Sequence, residues 1–129
     1  MNTIENISSL NVYRSSAGSG KTYTLVNIYL KLLFSSESDY AFKSILAITF
    51  TNKAADEMKQ RVISTLEMIS NGKKTDVKTY LSNELNINPS LVQIRAKSIL
   101  SKIIHNYSDV SILTIDRFTH KIIKSFSKE

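Results

Sequence analysis

The sequence predicts an α/β domain with a mostly parallel sheet. Three observations carry this expectation. Short apolar runs of strand length alternate with amphipathic stretches of helical length; the run at residues 44–50 (SILAITF) is almost continuously apolar; and a glycine-bearing loop stands between the first such run and the first helical stretch. Strands separated by helices pair in parallel, because each crossover returns the chain to the same end of the sheet.

Taken in order, residues 10–14 (LNVYR) read as a short first strand and residues 21–34 as a helix. In that helix Thr22, Leu25, Val26, Tyr29, Leu32 and Leu33 recur at three- and four-residue spacing, a face expected to pack on the sheet. The polar stretch 35–43 ends it. The apolar run 44–50 is expected to be a central strand covered by helices on both faces. Thr51-Asn52 supplies a cap for a helix of about 20 residues whose inner face is Ala55, Met58, Val62, Leu66 and Ile69, stopped by Asn71-Gly72. Residues 73–88 form a polar linker holding a short helical piece at about 77–85. Asn88-Pro89 then places a capping residue before a proline at the first helical position. The helix that follows is expected to bury Leu91, Ile94, Ile99, Leu100, Ile103, Ile104 and Tyr107. Residues 111–115 (SILTI) give a third strand, and 117–126 a closing helix with Phe118, Ile122 and Phe126 on one face.

A length of 129 residues suits one domain with one core. With 17 Lys and Arg against 11 Asp and Glu, the net charge of +6 favours polyanionic partners, nucleic acid among them. The absence of Cys excludes a disulfide framework, thiolate metal ligands and a catalytic thiol. No signal-peptide pattern and no membrane-spanning apolar stretch is visible, so a cytoplasmic location with no membrane partner is expected.

Residues 15–22, Ser15-Ser16-Ala17-Gly18-Ser19-Gly20-Lys21-Thr22, carry the chemistry. A loop that wraps a phosphate chain needs glycines for close backbone approach and a helix N-terminus whose N–H groups face the anion. It also needs a lysine for the outer phosphates and a hydroxyl for Mg²⁺. Gly18, Gly20, Lys21 and Thr22 supply all of these, between an apolar strand and an apolar helix. Ser15 stands where Gly or Ala is usual. The reading is an ATP site with Mg²⁺ at Thr22 and Lys21 as the main triphosphate anchor.

Three segments together resemble the UvrD/RecB/AddA-type superfamily 1 DNA helicases, particularly the RecB-like branch. They are SSAGSGKTYTL at the loop, ILAITFTNKAADEMKQRV at 45–62, similar to motif Ia, and ILTIDRFTHKII at 112–123, similar to motif Ib, with Arg117 where Ser is common. The helical segment 73–110 lies between the last two. The resemblance implies a RecA-like, three-layer P-loop NTPase domain, incomplete at its C-terminal end. It also implies that Thr49, Phe50, Thr51, Asn52 and Lys53 touch single-stranded DNA. Phe50 offers a stacking face, Thr49, Thr51 and Asn52 offer hydrogen bonds to phosphate, and Lys53 offers charge. Thr114, Asp116 and Phe118, with His120 beside them, form a second DNA-contacting or coupling site by the same resemblance. His105 reads as a surface residue.

An intact enzyme of this kind carries a Walker B Asp-Glu pair, a water-polarising Gln and a second motor domain with arginine fingers, and none of these is found within the 129 residues. Asp56-Glu57 does not end a strand, and the only Gln residues are Gln60 and Gln93. The chain is therefore expected to be the N-terminal part of a motor domain that binds nucleotide but turns it over barely, if at all. Two other readings stand beside this one. One is a self-contained small NTPase with Asp116 as its Mg²⁺ carboxylate; the other is a DNA-binding remnant without enzymatic activity.

Overall fold

A computed structural model describes residues 19–127. The first helix, α1 (Ser19–Ser35), is followed by a 3-10 turn (Ala41–Ser44), β1 (Ala47–Thr49) and α2 (Asn52–Ser70). Next come α3 (Asp76–Leu85), α4 (Pro89–His105), a 3-10 turn (Tyr107–Asp109), β2 (Ile112–Thr114) and α5 (Ile115–Ser127). The two strands pair in parallel with Ala47 opposite Ile112, Ile48 opposite Leu113 and Thr49 opposite Thr114. The expected first strand at 10–14 lies outside the described residues, as do Ser15 to Gly18.

Helix boundaries follow local capping chemistry. Thr51 accepts a hydrogen bond from the Ala54 N–H, Thr75 from Lys78 and Asn88 from Ser90, each satisfying a donor that the first helical turn leaves open. Gly72, with φ of 78°, stops α2 in the left-handed region that favours glycine. A side chain there would also crowd the Gln93 amide, 3.2 Å from where its Cβ would stand.

Helices dominate the core. The expected face of α2 is buried in full, with Ala55, Met58, Val62, Leu66 and Ile69 all inside. Its main partner is α4, which meets it through Val92, Ala96, Ile99 and Ile103, a 4-3-4 spacing that keeps one stripe on the contact. The expected α4 face is thus corrected: Leu91, Ile94, Ile104 and Tyr107 are exposed, whereas Val92 and Ala96 are buried. The expectation for α1 changes as well. Among the described residues its principal partners are α3 and α2, and it buries Leu30 and Phe34 besides Val26, Tyr29 and Leu33.

Arg95 ties the end of α1 to α4. Its Nη1 donates to the Phe34 carbonyl at 2.7 Å, its guanidinium lies over the Phe34 ring, and Nη2 stands 3.5 Å from Asp39 Oδ1. Ser98 donates to the other oxygen of the same carboxylate. The Tyr29 hydroxyl is buried with no hydrogen-bond partner among the described residues, and burial pushes its pKa up from the ordinary 10.0.

The sheet is more open among the described residues than its composition leads one to expect. Helix α2 covers one face, where Ile112 and Thr114 are buried and Ala47 and Thr49 half-buried. On the opposite face Leu46 and Ile48 are exposed and Leu113 half-buried, so β1 is not covered on both sides by the described residues. Strand alternation sends every second residue of the apolar run to that open face.

Candidate nucleotide and nucleic-acid site

Gly20, Lys21 and Thr22 fall in the first turn of α1, which opens on Ser19 and carries no acidic residue there. A helix N-terminus free of carboxylates presents N–H groups and a positive dipole end to an anion, which fits a triphosphate. The rest of the expected phosphate loop, Ser15 to Gly18, lies outside the described residues.

The second candidate site stands at the C-terminal ends of the parallel strands, where loops of open α/β sheets hold ligands. Phe50 leaves β1 and is 83% exposed, the most open of the large apolar side chains described. Asn52 and Lys53 follow it, exposed, at the first two positions of α2, whose first turn has no acidic residue. The hydroxyls of three threonines expected here bond to the backbone. Thr51 accepts from the Ala54 N–H at 3.0 Å, which leaves its own O–H available to a phosphate oxygen. Thr49 donates to the Thr51 or the Leu113 carbonyl, at 3.2 and 3.4 Å. Thr114, buried, accepts from the Arg117 N–H at 3.2 Å and thereby starts α5 two residues earlier than sequence spacing predicts.

Asp116 is exposed in the first turn of α5 rather than at a strand end, where the helix dipole favours a carboxylate. Phe118 is half-buried beside Leu46, Leu113 and Ile122 in a shallow cleft of about 440 Å³ along the open sheet face. Ile122 and Phe126, expected to pack with it, are 39% and 72% exposed. Asp56 and Glu57 are exposed on α2, as their helical position predicts, and His105 is exposed with Nδ1 2.7 Å from the Ser101 carbonyl.

A larger cleft of about 700 Å³ lies on the other side of α5. Lys59 of α2, Tyr107 of the second 3-10 turn, and Asp116, Arg117, His120 and Lys121 of α5 line it. Sequence reading named Asp116 and His120 but missed the rest. The only signal was the spacing of Arg117, His120 and Lys121, which places them on one helical face. No helix among the described residues is long and apolar enough to cross a membrane.

The model of the UvrD/REP helicase N-terminal domain family matches residues 2–129. The chain is 27% identical over 119 residues to RecBCD enzyme subunit RecB of Chlamydia pneumoniae, which covers 87% of this chain and 11% of that one. To RecB of Buchnera aphidicola it is 31% identical over 120 residues, covering 85% and 10%. To an ATP-dependent helicase/nuclease subunit of Bacillus cytotoxicus it is 34% identical over 113 residues, covering 87% and 7%. The chain thus spans about a tenth of the length of these relatives. No solved structure matches it. With a family match that runs from residue 2 to the end, and relatives that are RecB proteins and a helicase/nuclease, the chain belongs to the UvrD/REP helicase N-terminal domain family.

Proposed function

We propose that the chain is the ATP-binding, single-stranded-DNA-contacting N-terminal portion of the first motor domain of a DNA helicase or helicase-nuclease, acting in cytoplasmic DNA repair and recombination. The observation that carries this reading is Phe50. An aromatic ring 83% exposed, at the end of a parallel strand and directly before a helix N-terminus bearing Asn52 and Lys53, offers one stacking face and several phosphate partners in a single loop. Thr51 adds its free O–H, while Thr49 reaches the Leu113 carbonyl across the strand pair and Thr114 caps α5. Asp116 and Phe118, in the first turn of α5, add a second contact in this reading.

The phosphate loop, residues 15–22, wraps ATP in this reading, with Lys21 on the outer phosphates and Thr22 offering its hydroxyl to Mg²⁺. The bound nucleotide and metal supply the phosphoryl group and charge neutralisation; this chain's own residues bind and orient them. Turnover needs the acidic pair and the second motor domain of an intact enzyme, an arginine finger alone contributing a factor of ~10³–10⁵ in rate.

Titration of a fluorescent ATP analogue tests the nucleotide half. Saturable binding by the wild type and its loss in Lys21→Ala are expected; equal and negligible signals from both would defeat it. For the DNA half, fluorescence anisotropy with labelled oligothymidylate should show binding that weakens in Lys53→Ala.

A further inference from the structure

Helix α1 is closed at its C-terminal end by a residue of another helix. An α-helix leaves its last four carbonyls without partners, and a basic side chain in the last turn often closes one of them. The last turn of α1 carries no basic residue. Ser35 Oγ donates to the Leu32 carbonyl from within the helix at 3.0 Å, while Arg95 of α4 donates through Nη1 to the Phe34 carbonyl at 2.7 Å. Two further contacts fix the guanidinium. Its carbon stands 5.6 Å from the Phe34 ring centroid, and Nη2 lies 3.5 Å from Asp39 Oδ1, while the other oxygen of that carboxylate accepts from Ser98. The turn that presents Asp39 is itself ordered, Ser36 Oγ accepting from the Ser38 N–H and Ser38 Oγ from the Tyr40 N–H. The side chains of Arg95 and Asp39 are 24% and 27% exposed, against 42% and 46% for Lys31 and Glu84, the pair that joins α1 to α3. A planar fork held among a carbonyl, a ring and a carboxylate is also the more directional tie.

Gly20, Lys21 and Thr22 stand at the opposite end of the same helix. Burial of Val26, Tyr29, Leu30 and Leu33 sets how deep α1 lies, but apolar burial is not directional and leaves the helix free to tilt about its middle. From that middle to Lys21 is roughly 13 Å of helix, so a tilt of about 5° moves the first-turn N–H groups by about 1 Å. A displacement of that size exceeds the range of distances over which a hydrogen bond to a phosphate oxygen stays good.

We infer that Arg95 is a positioning residue for the phosphate loop: by closing the C-terminal end of α1 it sets the angle at which the N-terminal end meets a nucleotide. This role rests on the proposed ATP site at residues 15–22 and adds to it a residue of α4, bonded roughly 20 Å along the helix from Lys21. Arg95 acts through α1 and touches no nucleotide itself. By the same tie, occupancy of the phosphate loop reaches α4.

A fluorescent ATP analogue titrated into the full chain tests this, at a temperature where circular dichroism shows every variant fully folded. Arg95→Ala is expected to weaken binding about five- to ten-fold, the lower part of the range for coupling between separate sites. Arg95→Lys should recover part of the loss, since an ammonium can reach the Phe34 carbonyl but lacks the fork that engages Asp39 as well. Ile103→Val, in the α2–α4 contact, should lower the melting midpoint and leave the affinity unchanged. Hydrogen exchange gives a second readout. In the wild type the analogue should slow amide exchange through the last turn of α1, and in Arg95→Ala the protection should stop short of it.

Wild-type binding with unchanged affinity in Arg95→Ala overturns the positioning role and leaves the nucleotide site standing. Equal weakening by Arg95→Ala and Ile103→Val overturns it too, because the loss then follows stability. If Arg95→Ala does not fold, the wild-type exchange pattern and Arg95→Lys decide: a last turn that gains no protection from the analogue, or full affinity in Arg95→Lys, overturns the role. No saturable binding by the wild type overturns the nucleotide site and the role of Arg95 together.

Discussion

A ring as exposed as Phe50 contributes little to the fold, so its substitution separates binding from stability. Phe50→Ala is expected to weaken single-stranded DNA by ~1–3 kcal/mol, the range for a base stacked on an aromatic side chain, with the thermal midpoint unchanged. Equal affinity for both proteins in anisotropy titrations would place the base elsewhere. Tyr29 is the opposite case, a buried phenol whose hydroxyl has no partner among the described residues. Its folded-state pKa is raised by desolvation, so the fold keeps the proton where the unfolded chain releases it. Stability is therefore full below the unfolded value of about 10 and is lost as pH rises beyond it. Tyr29→Phe removes both the orphaned hydroxyl and this titration. It should hold or raise the melting midpoint at neutral pH and flatten the alkaline fall in stability, as followed by circular dichroism.

At the scale of elements, caps and crossings decide the geometry. Thr114 connects β2 to α5 through one side-chain hydrogen bond, and its loss in Thr114→Ala should cost about 1 kcal/mol and loosen the first turn of α5. Denaturant midpoints would register that cost. The α2–α4 crossing depends on small size at Ala96, which is wholly buried. Ala96→Leu should destabilise by ~1–3 kcal/mol through overpacking, whereas Ile94→Lys, on the exposed side of the same helix, should stay within about 0.5 kcal/mol. Had the expected α4 face been the packed one, these two effects would be reversed. Helix α4 is apolar nearly all round, with candidates at 91, 92, 94, 96, 99, 100, 103 and 104, so periodicity alone could not choose between adjacent stripes. In α2 charged residues leave only one stripe, and there the sequence was sufficient.

For the whole molecule, the +6 charge is unevenly placed. Lys53 stands at the strand-end loop, and Arg117, Lys121 and Lys124 all lie on α5, where Asp116 is the only acid. Single-strand affinity should therefore fall steeply with salt, and Lys53→Ala should lower both the affinity and the salt slope. A salt-independent affinity would make the basic balance an ordinary solvated surface. The open sheet face is also a property of the whole. Leu46, Ile48 and Leu113 are as apolar as core residues, yet among the described residues only α5 borders that side, through Phe118 and Ile122, and leaves Leu46 and Ile48 exposed. The run at 44–50 reads as doubly covered because its composition fits that environment, but composition does not supply the second layer.

By itself the sequence determined what is local: the phosphate-loop pattern, the caps at Thr51, Asn88 and Gly72, the helix and strand order of the described residues, and the inner face of α2. Such features act within three or four residues of each other, so the order of amino acids contains them. Only the tertiary structure decided which stripe of α4 is buried, that α1 leans on α3 and α2, and that Arg95 reaches the Phe34 carbonyl across 61 positions. It alone brought Lys59, Tyr107 and α5 around one cleft. Those arrangements depend on which surfaces fit together once the chain has closed on itself, and no spacing within a single element encodes that.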